Sequence, residues 1–213
     1  MIPIMWPFTV WGLDLVGPLQ KVAGGYTHLL VAIDKFSKWI EARPITNIHS
    51  EQDVLFFTYI IHRFGIPNVI ITDNGTQFTS KKFLDFSDRY HIRVNWSAVA
   101  HPRTNGQVDR ANNMILQGLK PRIYNWLKKF DKKWVEELSS VLWSLRTTPR
   151  RATKYTPFFM VYGSEAMLPT DLEYGSPRLK AYNEQTNKET RENAVDQLEE
   201  PQDMALLDSA RYQ

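Results

Sequence analysis

Between Thr9 and Ile45 three apolar runs follow one another, Thr9 to Val16, Tyr26 to Ile33 and Lys38 to Pro44, separated by Gly17-Pro18, Gly24-Gly25 and Asp34-Lys35. Connections this short, made of turn residues, join antiparallel neighbours, so the chain opens with three strands paired in sequence. The pattern then changes. Ser50 is placed to cap a helix through about Phe64, closed by Gly65 and Pro67, and Val69-Ile70-Ile71 forms a short buried strand ending at Asp73. A helix over Ser80 to Tyr90 and a strand over Ile92 to Trp96 complete a βαβ unit. A loop over Ala98 to Arg103 leads into a helical region from Asn105 to Phe130, with Thr104 and Gln107 in capping-box positions. Strands with interposed helices make an α/β protein, and such open sheets gather ligands beyond strand ends where the strand order reverses.

Three acids fall where that arrangement puts chemistry. Asp14 sits in Trp11-Gly12-Leu13-Asp14-Leu15-Val16-Gly17-Pro18, Asp73 in Ile70-Ile71-Thr72-Asp73-Asn74-Gly75, and Asp109 in Thr104-Asn105-Gly106-Gln107-Val108-Asp109-Arg110. Taken singly, Asp73-Asn74-Gly75 is a common turn, and Asp109 suits the first turns of a helix through the dipole. Asp14 is harder to explain away, because an unpaired charge inside an apolar strand is costly. Converging carboxylates bind hard cations such as magnesium.

The interval between Asp73 and Asp109 is 35 residues, the length of one α/β crossover. This resembles the Asp, Asp, 35-residue gap, Glu signature of retroviral and retrotransposon integrases. Three flanking words resemble the gypsy-type LTR retrotransposon branch: Trp11-Gly12-Leu13-Asp14, Thr72-Asp73-Asn74-Gly75-Thr76-Gln77-Phe78 and His101-Pro102-Arg103-Thr104-Asn105-Gly106-Gln107-Val108. The likeness runs from about Trp6 to about Pro169, and one departure matters: the family's third acid is Glu, whereas here it is Asp109. The resemblance implies a ribonuclease-H-like mixed five-stranded sheet. It implies Asp14, Asp73 and Asp109 as catalytic and metal-binding residues around two Mg2+ or Mn2+ ions. It also implies two-step transesterification on DNA, in which element ends are trimmed and then joined to target DNA by a homo-oligomer in the nucleus. Asp is one methylene shorter than Glu, about 1.5 Å of reach, while metal–oxygen distances tolerate only tenths of an ångström. An inactive, DNA-binding relic is therefore a rival reading, and a ribonuclease of the same fold is another.

Candidates for DNA contact are Asn74 and Gln77 beside the second acid, Thr104, Asn105 and Gln107 before the third, and Arg110 after it. Small polar groups at a helix start suit phosphate oxygens, and turn formation or capping is their alternative role. Lys81, Lys82, Arg103, Lys120 and Arg122 extend a basic track if they are more than solvated surface charge. Trp39, Phe56, Phe57, Phe64, Trp126, Trp134 and Trp143 have the spacing of core residues, and Asp34, Asp85 and Asp88 read as surface acids.

Composition sets the outer bounds. At 213 residues and 43% hydrophobic, the chain is long and apolar enough for a real core. No apolar run reaches the ~18 residues of a membrane span, so the reading is intracellular, with no membrane partner. There is no cysteine, which excludes disulfides, thiolate chemistry and the family's His-Cys zinc module within this chain, and the five histidines lack ligand spacing. Residues 183–213 hold eight acids against three bases, net −5, so a whole-chain charge of +3 leaves +8 on residues 1–182. A basic body attracts polyanions. The organisation expected is a lead-in over 1–8, a catalytic core over 9–150, an extension over 151–182 and an acidic tail over 183–213, loosely helical or disordered. Within this scheme Lys132 to Arg146 forms a further amphipathic helix.

Overall fold

A computed structural model describes residues 6–96, 106–123, 134–175 and 199–211. Five strands form one sheet: β1 (Val10–Val16), β2 (His28–Asp34), β3 (Ile40–Ile45), β4 (Val69–Thr72) and β5 (Arg93–Trp96), in spatial order β3-β2-β1-β4-β5. The first three pair antiparallel as expected, and β4 and β5 add parallel to β1. The sheet is therefore the mixed five-stranded sheet that the sequence implied. Pro44 lies in β3 at the sheet edge, where a missing backbone donor is tolerated.

The helices of the first part are α1 (Ser50–Phe64), α2 (Lys81–Arg89), α3 (Gly106–Ile123) and α4 (Trp134–Thr147). The residue at the N-cap of α1 is His49, not Ser50, and it makes no side-chain capping bond. Ser80 does cap α2, its hydroxyl accepting from the Phe83 amide at 3.3 Å. Gly65 ends α1 with φ 87°, a value that suits glycine.

Period-2 alternation divides the sheet between two cores. Leu29, Val31, Ile33 and Ile40 pack with Val108, Ala111, Ile115 and Leu119 of α3 and Trp134, Leu138, Val141 and Leu142 of α4. Trp11 faces the other way and meets Phe8 and Phe64, with ring centroids 6.1 and 5.5 Å away. Because β2 is covered on both faces, it reads as a continuous apolar run. Of the aromatics expected in the core, Trp39, Phe56, Phe57 and Trp134 are buried and Phe64 is half-buried. Trp143 is instead exposed, because it lies off the Leu138–Val141–Leu142 stripe of α4, and Trp126 lies outside the described residues.

Asp34 also departs from expectation. It is fully buried and organises the β2–β3 turn, accepting from the Ser37 amide at 2.8 Å, the Ser37 hydroxyl at 2.6 Å and the Phe8 amide at 3.1 Å. A buried acid with three donors has its hydrogen-bonding capacity met within the fold. Asp85 and Asp88 are exposed, as expected.

The chain divides into two compact units, residues 1–145 and 146–213. The second carries the last two residues of α4, then α5 (Pro157–Tyr162), α6 (Pro169–Tyr174) and α7 (Glu199–Arg211). Thr156 caps α5, accepting from the Phe159 amide at 2.9 Å and donating to Glu165 at 2.7 Å. Within the tail expected to be loosely helical or disordered, residues 199–211 are helical.

Candidate active site at the β1 and β4 ends

Asp14 and Asp73 become neighbours through the β1–β4 register. Gly12 pairs with Ile71 in parallel, so two further residues along each chain bring Asp14 level with Asp73 on the same face, on strands about 4.8 Å apart. Asp14 is half-buried within β1, and Asp73 is exposed one residue past β4. The Asp73 carboxylate accepts from the Gly75 amide at 3.0 Å, which folds the Asp-Asn-Gly turn back on itself.

Helix α3 covers the same face. Val108 lies over Gly12, so closely that a Cβ at Gly12 would stand 2.1 Å from Val108 Cγ2. One helical turn on, Asn112 donates its side-chain amide to Asp14 Oδ2 at 2.6 Å. Four helical residues rise about 6 Å and two strand residues about 6.6 Å, so the pairs 108/12 and 112/14 match when α3 runs alongside β1. Asp109 lies beside this contact line in the first turn of α3 and is exposed.

Both other acids act on Asp14. Burial pushes the Asp14 carboxyl above its ordinary value; the negative charges of Asp73 and Asp109 push it further, while hydrogen bonds from the Leu15 amide, at 2.8 Å, and from Asn112 oppose the rise. Mutual repulsion of this kind is what a divalent cation relieves, and carboxylates are the oxygen donors magnesium takes. The donor set therefore fits such an ion in kind. Among the described residues, however, no three acidic or imidazole side chains are gathered closely enough to share one.

The remaining sequence candidates are distributed unevenly. Asn74 and Arg110 are exposed beside the acids. Gln77 is buried, its amide packed against Gly75 under the Asp73 turn. Thr104, Asn105 and Arg103 lie outside the described residues, as do the side chains of Gln107, Lys120 and Arg122. Lys81 and Lys82 are exposed, and Lys82 pairs with Glu51 at 2.8 Å. The sequence reading missed Asn112. Its only signal was an amide three residues after Asp109 on the same side of the helix.

A mixed sheet in this order, with an acid in or just past each of two neighbouring strands and a helix laid across them, is the ribonuclease-H-like fold. The comparisons narrow the class. Residues 6–102 match the integrase core domain family. The Tf2-3 transposon polyprotein of Schizosaccharomyces pombe is 31% identical over 183 residues, 84% of this chain and 13% of its own length. The Pro-Pol polyprotein of feline foamy virus is 30% identical over 163 residues, 76% of this chain and 14% of its own. The chain thus spans about one-seventh of the curated relatives it matches. In fold it is similar to the HTLV-2 integrase catalytic core domain solved in complex with magnesium, with TM-score 0.59, 24% identity and coverage of 72% of this chain and 96% of that one. It is also similar to a chain of the simian T-cell lymphotropic virus intasome, with TM-score 0.63, 23% identity and coverage of 77% and 57% respectively. This chain belongs to the integrase core family of retroviruses and retrotransposons. Among the described residues no helix is long and apolar enough to cross a membrane.

Proposed function

We propose that the chain is the catalytic core of a gypsy-type retrotransposon integrase, acting on DNA by metal-dependent polynucleotidyl transfer. The observation that supports this most directly is electrostatic: beyond the effect of burial, the Asp14 carboxyl of β1 is raised in pKa by both Asp73 and Asp109, acids 59 and 95 positions away in the chain. Asp14, Asp73 and Asp109 would hold the Mg2+ or Mn2+ ions, the first two from the strands and Asp109 from the helix. Such ions supply an activated oxygen nucleophile and charge neutralisation at phosphorus.

The chain's own residues do the rest. The β1–β4 register sets two carboxylates level toward the carboxyl ends of two neighbouring inner strands, and the Gly75 amide holds the Asp73 side chain against its turn. Asn74 and Arg110, exposed on either side, would grip phosphate oxygens and align the DNA strand, while buried Gln77 supports the turn from beneath. In this reading element ends are trimmed first, and the freed 3′ hydroxyl then joins a target phosphodiester. The working form would be a multimer in the nucleus, engaging two DNA ends.

A strand-transfer assay in Mg2+ or Mn2+ tests this. Wild-type protein is expected to give joined product, and the double variant Asp14→Asn, Asp73→Asn none; equal background from both would sink the enzymatic reading. One observation favours the relic instead, namely that no three acidic groups among the described residues are gathered around a single point. Restoring the family's third acid by Asp109→Glu distinguishes the two: a silent wild type with an active Asp109→Glu variant identifies a degenerate core. Cleavage of an RNA–DNA hybrid in place of DNA joining would identify a ribonuclease.

A further inference from the structure

Asn112 is 98 positions from Asp14 in the chain, yet its side-chain amide makes one of the shorter hydrogen bonds among the described residues, 2.6 Å to Asp14 Oδ2. The other Asp14 oxygen accepts from the Leu15 amide at 2.8 Å, so both oxygens are held and the carboxylate plane is fixed by one strand donor and one helix donor. The amide orientation follows from chemistry, since turning Oδ1 toward a carboxylate at this distance would set two acceptors together. That orientation has a consequence. Asn112 Oδ1 is left buried with no hydrogen-bond partner. An apolar side chain of the same size would avoid that unsatisfied acceptor, with Val108, Ala111 and Ile115 already packing the same helix against the sheet.

The position of Asn112 is not accidental to α3 packing either. The glycine at position 12 lets Val108 sit directly on β1, and this close approach is what brings a side chain as short as Asn within reach of Asp14 one turn later. Asp109 lies three residues before Asn112 on the same helix, so the contact that aims Asp14 also sets how far Asp109 stands from it.

From this geometry we infer that Asn112 is a positioning residue of the site, locking the Asp14 carboxylate in its ion-binding orientation and tying α3, with Asp109, to β1. The inference rests on the metal-site reading above for its purpose, but the contact itself can be tested without metal. In the metal-free protein the Asn112 side-chain amide protons are expected to be shifted downfield and slow to exchange in NMR spectra, and to become solvent-like in Asp14→Ala. Solvent-like amide protons in the wild type overturn the inference whether or not the protein binds metal. For the purpose, Mn2+ affinity is compared among wild type, Asn112→Leu and Asn112→Asp. The Leu variant keeps the branched shape and heavy-atom count of the side chain and removes the donor, so the folded variant should bind Mn2+ about tenfold or more weakly. Asn112→Asp, which sets a second carboxylate against Asp14, should destabilise the metal-free protein, and Asn112→His, which restores a donor, should recover part of the affinity lost in the Leu variant. Wild-type Mn2+ affinity in a folded Asn112→Leu protein overturns the positioning role. Absence of Mn2+ binding by wild type, with a protected Asn112 amide, refutes the metal-site reading and leaves the Asn112–Asp14 lock standing.

Discussion

Replacing Gly12 by Ala probes the site without touching a charged group. The added Cβ would lie 2.1 Å from Val108 Cγ2, with Ile33 Cγ2 at 3.4 Å on its other side. Carbon atoms pack best at about 3.5–4.0 Å, so the gap must open by roughly 1.5 Å. Val108 cannot simply rotate away, because valine in a helix holds essentially one rotamer and this side chain is fully buried. The helix itself must lift. Overpacking of this kind costs about 1–3 kcal/mol, while alanine in place of a strand glycine returns about 0.5–1 kcal/mol of chain entropy. The net is a loss of up to about 2.5 kcal/mol, centred on about 1 kcal/mol, which is a fall in melting temperature of roughly 2–4 °C for a chain of this size. The double variant Gly12→Ala, Val108→Ala supplies the control, since with the clash removed the two substitutions should be less destabilising together than their sum by about 1 kcal/mol. Thermal or urea melts of the four proteins make the measurement. Gly12→Ala as stable as wild type, or strict additivity, would refute the close approach of α3 to β1 and with it the reach of Asn112.

The pH profile of stability should be inverted relative to most proteins. Burial raises the carboxyls of Asp34 to about 6 and Asp53 to about 7 from 3.8, so the native state holds protons that the unfolded chain has released, and stability should fall from about pH 4 to pH 7. Burial lowers Lys35 and Lys38 to about 8 from 10.5, so above pH 8 the unfolded chain holds more protons and stability should recover. Melts across pH 4–10 should therefore show a minimum near 7–8, and Asp53→Asn should flatten the acid limb; a monotonic rise from pH 4 to 7 contradicts this. Asp14→Asn should raise the melting temperature of the metal-free protein at pH 7, because it removes a charge that burial and two like charges disfavour, and a drop would indicate that the carboxylate is structurally required. Arg110→Ala should weaken DNA binding by a similar factor on every sequence and lower the steepness of its salt dependence by about one ion, as read from fluorescence anisotropy at several salt concentrations.

The succession of strands and helices was legible because its signals are local. Period-2 runs, glycine-proline turns and an acid in an apolar strand are all read within about ten residues. The same locality explains the failures. Asp34 reads as a surface acid, and only the fold reveals that Phe8, 26 positions away, donates to it. Asp53 lies in the acidic first turn of α1, where the dipole favours it, and nothing nearby in sequence announces that it is buried. Asn112 passes for a polar surface position of α3 until β1 is set beneath it. Ser50 carried the right residue type for a cap, one position too far along.

The α3 packing also bears on how the protein is made. The stretch that matches the family, residues 6–102, contains the whole sheet but none of α3, whose Val108, Ala111, Ile115 and Leu119 cover Leu29, Val31 and Ile33. A nascent chain that has just completed β5 would present those β2 side chains to water, and Asp14 would have no side-chain amide to meet. Docking of a helix encoded after the sheet thus seals the apolar face and orients the first carboxylate in a single event, so an ion-competent site and a closed core should arise together, once α3, which ends at Ile123, has emerged from the ribosome.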